Sequence, residues 1–385
     1  MDTNILHYVS YFSLPSETFI YDLITNLDSS ININNHVVCH HRQLEEERPF
    51  DKTILVDSHS YWNRFEKKIL GTKEQTIYAR KIKRIINREN IDLVHSHFGP
   101  NGIRMQELLK TMGKSEMPHV ISFHGMDINR LPKEDEEYKT KLLNLNHCHT
   151  FFFAPSNFLK TKMLKLGLHE PKTEVIPNAV NDMFFNKQQG KTISENGALK
   201  LINVGRFVPV KGQKYLILAV KQLIKTIPDI SLTIVGYGSM EEELKNLTNQ
   251  HKLDDHIIFP GKVGHNKIPS LLQDHDIYVH SSVKTKEQEE ESFGLAVIEA
   301  LASGLPVVST NTGGTKEIIE KTEAGVLVEP KSPNAIKSAV ELLYINTALY
   351  NELKTNAREN AMRLYNHQSI KNNWINRYHD IIKKL

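Results

Sequence analysis

Glu291 and Glu299 open the most informative passage of the chain, Glu291–Gly314, ESFGLAVIEALASGLPVVSTNTGG. Carboxylates accept paired hydrogen bonds from vicinal hydroxyls, so two of them in one segment suit a ligand with a sugar at each end. Ser292-Phe293-Gly294 leads into an apolar run, Leu295–Ala302, of helical character, and Pro306 after Ser303-Gly304 opens a buried strand, Val307–Ser309. A helix start offers unpaired N–H groups and a favourable dipole to an anion, and Gly294 permits close approach to the backbone. A phosphate is the ligand expected there. If the whole segment were helical, the two carboxylates would be spaced by about 12 Å, enough to meet the sugar and the ribose of a nucleotide diphosphate sugar. The competing reading makes Glu299 a surface ion-pair partner and Glu291 part of the acidic run 287–291; the strand-loop-helix-Gly-Pro-strand context argues against it.

A second group is Val204-Gly205-Arg206-Phe207-Val208-Pro209-Val210-Lys211-Gly212. A strand delivers Gly205 and Arg206 into a loop and Lys211 opens the next helix, so both cations reach the sheet edge where open α/β folds bind ligands. A departing diphosphate gains negative charge, and a fixed Arg and Lys stabilise that charge selectively in the transition state. Third is Ser122-Phe123-His124-Gly125-Met126-Asp127, where His124 ends a strand and is placed to bond a hydroxyl or to stabilise positive charge through its carbonyl. Asp127 is read as a cap of the following segment. Gly236 and Gly238 follow another strand, a pattern that tight βα turns need whether or not they bind a nucleotide.

The passage Glu291–Gly314 resembles the donor-site signature of glycosyltransferase family 4, the retaining GT-B enzymes. Phe293-Gly294, Glu299-Ala300, Ala302, Gly304, Pro306-Val307-Val308 and Gly313-Gly314 all fit, and the remaining motifs follow in the family's order. The resemblance implies a retaining glycosyltransferase moving a hexose-type sugar from a nucleotide diphosphate sugar to a glycan or lipid-linked saccharide in polysaccharide biosynthesis. A UDP-sugar is favoured over a GDP-sugar. It implies that Glu291 holds the donor sugar, Glu299 the ribose, the backbone at Ser292, Phe293, Gly294 and Leu295 the phosphates, and that Gly205, Arg206 and Lys211 form the diphosphate clamp. The resemblance further implies that His124 faces the donor sugar, that Gly236 and Gly238 lie near the nucleotide, and that Lys262 and Val263 edge the base. His124, Arg206, Lys211 and Glu291 are the catalytic set it implies.

The first strand-to-helix turn, Tyr11-Phe12-Ser13-Leu14-Pro15-Ser16-Glu17-Thr18, lacks the glycines that many relatives have there. It looks like the Ser-Glu-Thr variant of enzymes that build surface polysaccharides, with Ser16 and Thr18 bonding a phosphate or capping the helix and Glu17 touching the acceptor. His97, in His95-Ser96-His97, is a further acceptor candidate. No metal is expected: His147-Cys148-His149 is read as strand, which would send the three side chains to opposite faces, and Arg206 and Lys211 supply the charge a cation would. No other cofactor is expected.

These residues need a scaffold, and the chain supplies one by alternating short β-branched runs with helix-period segments throughout. Strands are expected at Ile5–Val9, Val37–His40, Thr53–Val56, Leu93–His95, His119–Phe123, Phe151–Ala154 and Glu174–Ile176. A second set follows at Leu201–Val204, Ser231–Val235, Ile257–Phe259, Ile277–Val279, Val307–Ser309 and Gly325–Val328. The fold class is α/β: two Rossmann-like domains facing each other across a deep cleft, whose closure would exclude water. The expected boundaries are 1–180 for the acceptor domain, 181–200 for a polar linker, 201–365 for the nucleotide-sugar domain and 366–385 for a terminal helix packing back on the first domain. At 385 residues two cores are natural.

The net charge of +3 gives no signal for nucleic acid, and two cysteines are too few for a disulfide framework. The chain start lacks a signal-peptide pattern and no run is long enough to span a bilayer, so the expected place is the cytoplasm. Residues 61–90 carry nine Lys/Arg against three Asp/Glu interleaved with apolar residues, which is either a solvated helix face or a peripheral contact with the anionic inner face of the cell membrane. Two other functions compete. A nucleotide-sugar epimerase of the same fold would need an acid/base set that the sequence does not show. An idle glycan- or nucleotide-binding protein would lack Arg206, Lys211 or one of the two glutamates, and all four are present.

Overall fold

Aliphatic and β-branched runs too apolar to alternate become strands buried on both faces, and the protein pairs them in parallel. The computed structural model describes residues 2–56, 74–186 and 198–384. They form two compact units, Met1–Ala179 with His367–Leu385, and Val180–Asn366.

In the first unit β1 (Thr3–Phe12), β2 (Ile33–Arg42), β3 (Thr53–Leu55), β4 (Leu93–His97), β5 (His119–Ser122), β6 (Thr150–Ala154) and β7 (Thr173–Val175) form one sheet. Their order is β3-β2-β1-β4-β5-β6-β7. In the second unit β8 (Leu199–Val204), β9 (Ile230–Val235), β10 (Ile257–Gly261), β11 (Ile277–His280), β12 (Val307–Thr310) and β13 (Gly325–Val328) run in the order β10-β9-β8-β11-β12-β13. Every strand expected from sequence overlaps an observed one. In each sheet the chain changes direction once, between β1 and β4 and between β8 and β11. Beyond the carboxyl ends of those two pairs lie the switch points, where loops diverge and leave a crevice.

Residues near 180 depart from a featureless linker. Val180 N–H donates to the Tyr365 carbonyl, and Phe184, in the 3-10 turn Asp182–Phe185, is wholly buried in a core of the second unit. Residues 187–197 of the expected linker lie outside the described residues. So do residues 61–73 of the basic stretch. Its remainder contains the helix Glu74–Arg88, which packs Tyr78, Ile82, Ile85 and Ile86 into a core with Val38 and Val94. The apolar face is therefore consumed by folding, and what this helix turns outward is Arg80, Lys83, Arg84 and Arg88. Among the described residues no helix is long and apolar enough to cross a membrane.

The helix Thr347–Tyr365 ends at Asn366, and His367–Lys383 returns to the first unit. Ile370, Trp374, Tyr378 and Ile381 on one face pack against Ile5, Leu93, Val120 and Phe153 of the sheet. Trp374 is 4% exposed, and the Tyr378 hydroxyl lies 2.7 Å from His95 Nδ1. Trp374→Ala removes that wedge and is expected to lower the unfolding free energy of the first unit by about 3–5 kcal/mol, read as an earlier circular-dichroism transition in urea. An unchanged midpoint would mean that the helix adds nothing to this core.

Candidate functional site

The two loops at the second unit's switch point are joined by backbone contacts before any side chain is considered. Val283 N–H donates to the Val210 carbonyl at 2.8 Å and the Ser281 hydroxyl to the Lys211 carbonyl at 3.0 Å. Gly212 has φ 62°, and a Cβ there would lie 2.2 Å from the Ser281 carbonyl oxygen, so only glycine fits. This seam puts Lys211, at the end of the β8 loop, against Glu291, which follows β11.

Lys211 and Glu291 form an ion pair whose side chains are only 17% and 16% exposed. His280, the last residue of β11, places Nε2 3.8 Å from the same carboxylate oxygen. Burial pushes the Glu291 carboxyl up, but Lys211, His280 and Arg206 more than offset it and leave the group below its ordinary value. Burial, reinforced by Lys211, lowers His280 to about 4, so its imidazole is neutral near pH 7. Arg206 is exposed at the rim. Its carbonyl accepts from the Gln213 side chain at 3.0 Å.

Glu291 lies in a loop, so the segment 291–294 is not helical and the spacing expected from a continuous helix does not apply. The helix runs Leu295–Ala302 only, with Gly294 at φ 99° before it and no side-chain cap. The loop rests on Gly313 and Gly314: Gly314 N–H donates to the Glu291 carbonyl at 2.8 Å, and a Cβ on Gly313 would stand 2.0 Å from that oxygen. Ser292 and Phe293 are buried beneath it. The helix Gln213–Leu223 also starts without a side-chain cap, after Gly212. Two uncapped helix starts beside a Lys and an Arg make this crevice a site for a polyanion.

Glu299, 7% exposed, accepts from or shares a proton with His265 Nε2 at 2.9 Å. It is thus fixed one turn into the helix, and not paired with a surface lysine. Gly236 and Gly238 have a packing reason for their identity. A Cβ would fall 1.9 Å from the Gly205 carbonyl oxygen and 2.4 Å from that of Phe207, so these glycines let the β9 loop lie directly on the β8 loop. Lys262 sets its ammonium 5.7 Å from the Tyr237 ring centroid, and Val263 is half-buried after β10.

In the first unit, the turn after β1 and the turn after β4 flank the other switch point. Ser16 is exposed, Glu17 half-buried and Thr18 buried. Neither Ser16 nor Thr18 caps the helix Thr18–Asp28; its N-cap position is Glu17, without a side-chain cap bond. His97 is 0% exposed, with Nε2 3.2 Å from His7 Nδ1 and its ring stacked 6.0 Å from that of His124. It is closed to solvent, and together with His124, Phe19 and Trp374 it borders a small cavity of the first unit. His124 is ringed by Phe19 and Phe98, each with centroids 4.6 Å away. Both its ring nitrogens are shielded and without hydrogen bonds, and burial lowers it to about 3. His124 is therefore a neutral imidazole packed between aromatic rings.

His7, His95 and His97 bring ligand atoms within 4.8 Å of one another, a spacing compatible with a cation. Two of the three rings are engaged otherwise. His95 contacts the Tyr378 hydroxyl and Ser122 Oγ, each at 2.7 Å, and His7 Nε2 lies 3.1 Å from Asn35 Oδ1. Residues 147–149 span a 3-10 turn, Leu145–His147, and the link to β6; they are not a strand, so the alternation argument does not govern them. His280, His265 and Asp127 were not assigned to the site from sequence. Position at a strand's carboxyl end was the available signal for His280; the His265 pairing crosses two loops and leaves no local trace.

Residues 16–183 match the family model Glycosyltransferase Family 4, and residues 184–360 match Glycosyl transferases group 1. The chain belongs to this glycosyltransferase family. It is 27% identical over 280 residues to the putative colanic acid biosynthesis glycosyltransferase WcaL of Salmonella typhimurium, covering 72% of this chain and 68% of that protein. An uncharacterized glycosyltransferase, MJ1178, of Methanocaldococcus jannaschii is 29% identical over 292 residues, with 74% of each covered. HepE of Anabaena, solved in complex with UDP and glucose, superposes with a TM-score of 0.78 at 18% identity, covering 98% of this chain and 100% of that one. The two Rossmann-like units are those of the GT-B fold.

The Lys211–Glu291 pair has a measurable signature. A carboxyl held below its ordinary 4.5 contributes stability that is present above that pH and lost as pH falls through the lower folded value. Wild type is expected to lose melting temperature below about pH 4.5 more steeply than Glu291→Gln. Lys211→Met, which leaves the carboxylate without its main cation, is expected to cost about 3 kcal/mol at pH 7 in denaturant unfolding. Equal acid profiles for wild type and Glu291→Gln would contradict the pairing.

Proposed function

We propose that this protein is a retaining glycosyltransferase that moves a hexose-type sugar from a UDP-sugar to a glycan or lipid-linked saccharide in polysaccharide biosynthesis. The observation that carries the reading is the Lys211–Glu291 pair, beside Arg206, at the switch point between β8 and β11. A diphosphate seated on the uncapped helix starts takes up the cationic charge of Lys211 and Arg206 and frees the Glu291 carboxylate for sugar hydroxyls. Glu299, already oriented by His265, accepts from the ribose.

The acceptor hydroxyl attacks the anomeric carbon on the face from which the diphosphate leaves, and the leaving phosphate takes its proton. Bond-breaking places negative charge on the diphosphate, where the two cations are worth more than in the ground state. That charge is met without a divalent cation. Colanic acid in the WcaL name and the UDP and glucose in the HepE structure support the pathway and the donor class. The first unit takes the acceptor, with Ser16 and Glu17 beside its switch point.

Calorimetric titration with UDP-, GDP- and ADP-sugars tests the reading. Wild type is expected to bind one nucleotide class, the uridine one, and Glu299→Ala to bind it at least tenfold more weakly, the scale of a lost hydrogen bond to a charged group. Binding of none would end the assignment of this site. Arg206→Ala is expected to lower kcat about 100-fold, and EDTA to leave kcat unchanged. Loss of transfer on chelation, restored by a divalent ion, would overturn the metal-independent clamp.

A further inference from the structure

Asp127 is a carboxylate 1% exposed, and no ion pair reaches it among the described residues. Backbone N–H groups from two different turns hold it. Oδ1 accepts from Gly125 N at 2.8 Å and His124 N at 3.2 Å, while Oδ2 accepts from Gly99 N at 3.1 Å. Gly99 begins the helix Gly99–Thr111, whose own N-cap residue, Phe98, has no side-chain cap to offer. Asp127 thus caps a helix in another segment while bracing the turn that carries it. The Tyr138 hydroxyl fastens the same point, donating to the Asp127 carbonyl at 2.8 Å.

Both turns are conformationally demanding. Phe98 has φ 72°, unfavourable for any residue with a side chain, and Gly125 has φ 131°. Such backbone persists only where surroundings over-determine it, and the Phe98 ring lies edge-on to His124. A trans peptide directs its carbonyl opposite to its N–H. Holding the Gly125 N–H toward the buried carboxylate therefore directs the His124 carbonyl away from it. Burial holds the Asp127 carboxyl up at about 6 even against its backbone hydrogen bonds, so the brace is maintained at a desolvation cost.

We propose that Asp127 is a positioning residue for transfer, cross-bracing the His124 turn to the Phe98–Gly99 turn so that the His124 backbone and ring keep one orientation. The inference rests on the function proposed above. Asp127 itself touches no substrate.

Asp127→Asn keeps one acceptor oxygen for the Gly125 and His124 amides but turns an NH2 toward the Gly99 N–H, donor against donor. Asp127→Ala removes both acceptor oxygens and leaves all three amides without them. The test measures kcat, donor KM, UDP affinity by calorimetry, melting temperature and hydrogen exchange at the Gly99, His124 and Gly125 amides for each variant. Expected are kcat losses of about 10-fold for Asn and about 100-fold for Ala, with donor KM and UDP affinity within threefold of wild type and faster exchange at the three amides. Wild-type kcat in both variants overturns the proposal, as does a kcat loss matched by loss of UDP binding, which marks a general structural role. If wild type transfers no sugar, the proposed function falls, and the brace stands or falls on the exchange of the three amides.

Discussion

The buried ion pair of Lys211 and Glu291 is the constraint on which the second unit's site depends. Two ions taken out of water need each other, and here they come from loops that leave opposite sides of the sheet's reversal. The backbone seam at Ser281, Val283 and Gly212 brings the loops together, and the Gly313-Gly314 platform sets the height of the Glu291 loop. Glycine recurs in this unit because backbone lies on backbone. Each such position would put a Cβ within a bond-like distance of a carbonyl oxygen. Within the pair each charge is offset by the other, which leaves Arg206 as the neighbouring cation.

The first unit solves a different problem, the burial of many polar rings. His7 and His95 are direct neighbours across β1 and β4, and His97 shares their face two residues further on. Burial drives all three toward the neutral form, so they pack as polar aromatics that exchange hydrogen bonds with Asn35, Ser122 and Tyr378. The returning helix His367–Lys383 covers this face with Trp374 and Tyr378. Around His124 the same logic holds with fewer partners, which makes the backbone brace at Asp127 the principal polar anchor of that turn.

Strands and the loop-helix-strand passage Glu291–Gly314 are legible because their signals are local. A buried parallel strand such as Val307–Thr310 is a short apolar run between Gly304 and a turn, and Leu295–Ala302 declares itself by composition and by Gly294 before it. Pairings between distant loops were not legible. Nothing near His265 indicates Glu299, and nothing near Asp127 indicates Gly99. The capping role expected of Ser16 or Thr18 failed because the turn closes one residue away, at Glu17. The complete burial of His97 is likewise not legible from its place at a strand end, because the histidine it meets, His7, lies on another strand. Local pattern reveals which elements form; it does not reveal which side chains meet.

The exchange of partners at Lys211 is the central claim, and calorimetry of Glu291→Gln with UDP and with the UDP-sugar that wild type binds tests it most directly. Removing the carboxylate's charge frees Lys211 for the diphosphate while depriving the sugar of its strongest acceptor. The account predicts UDP affinity equal to or above that of wild type and UDP-sugar affinity at least tenfold below it. Equal weakening of both ligands, or of neither, would contradict it.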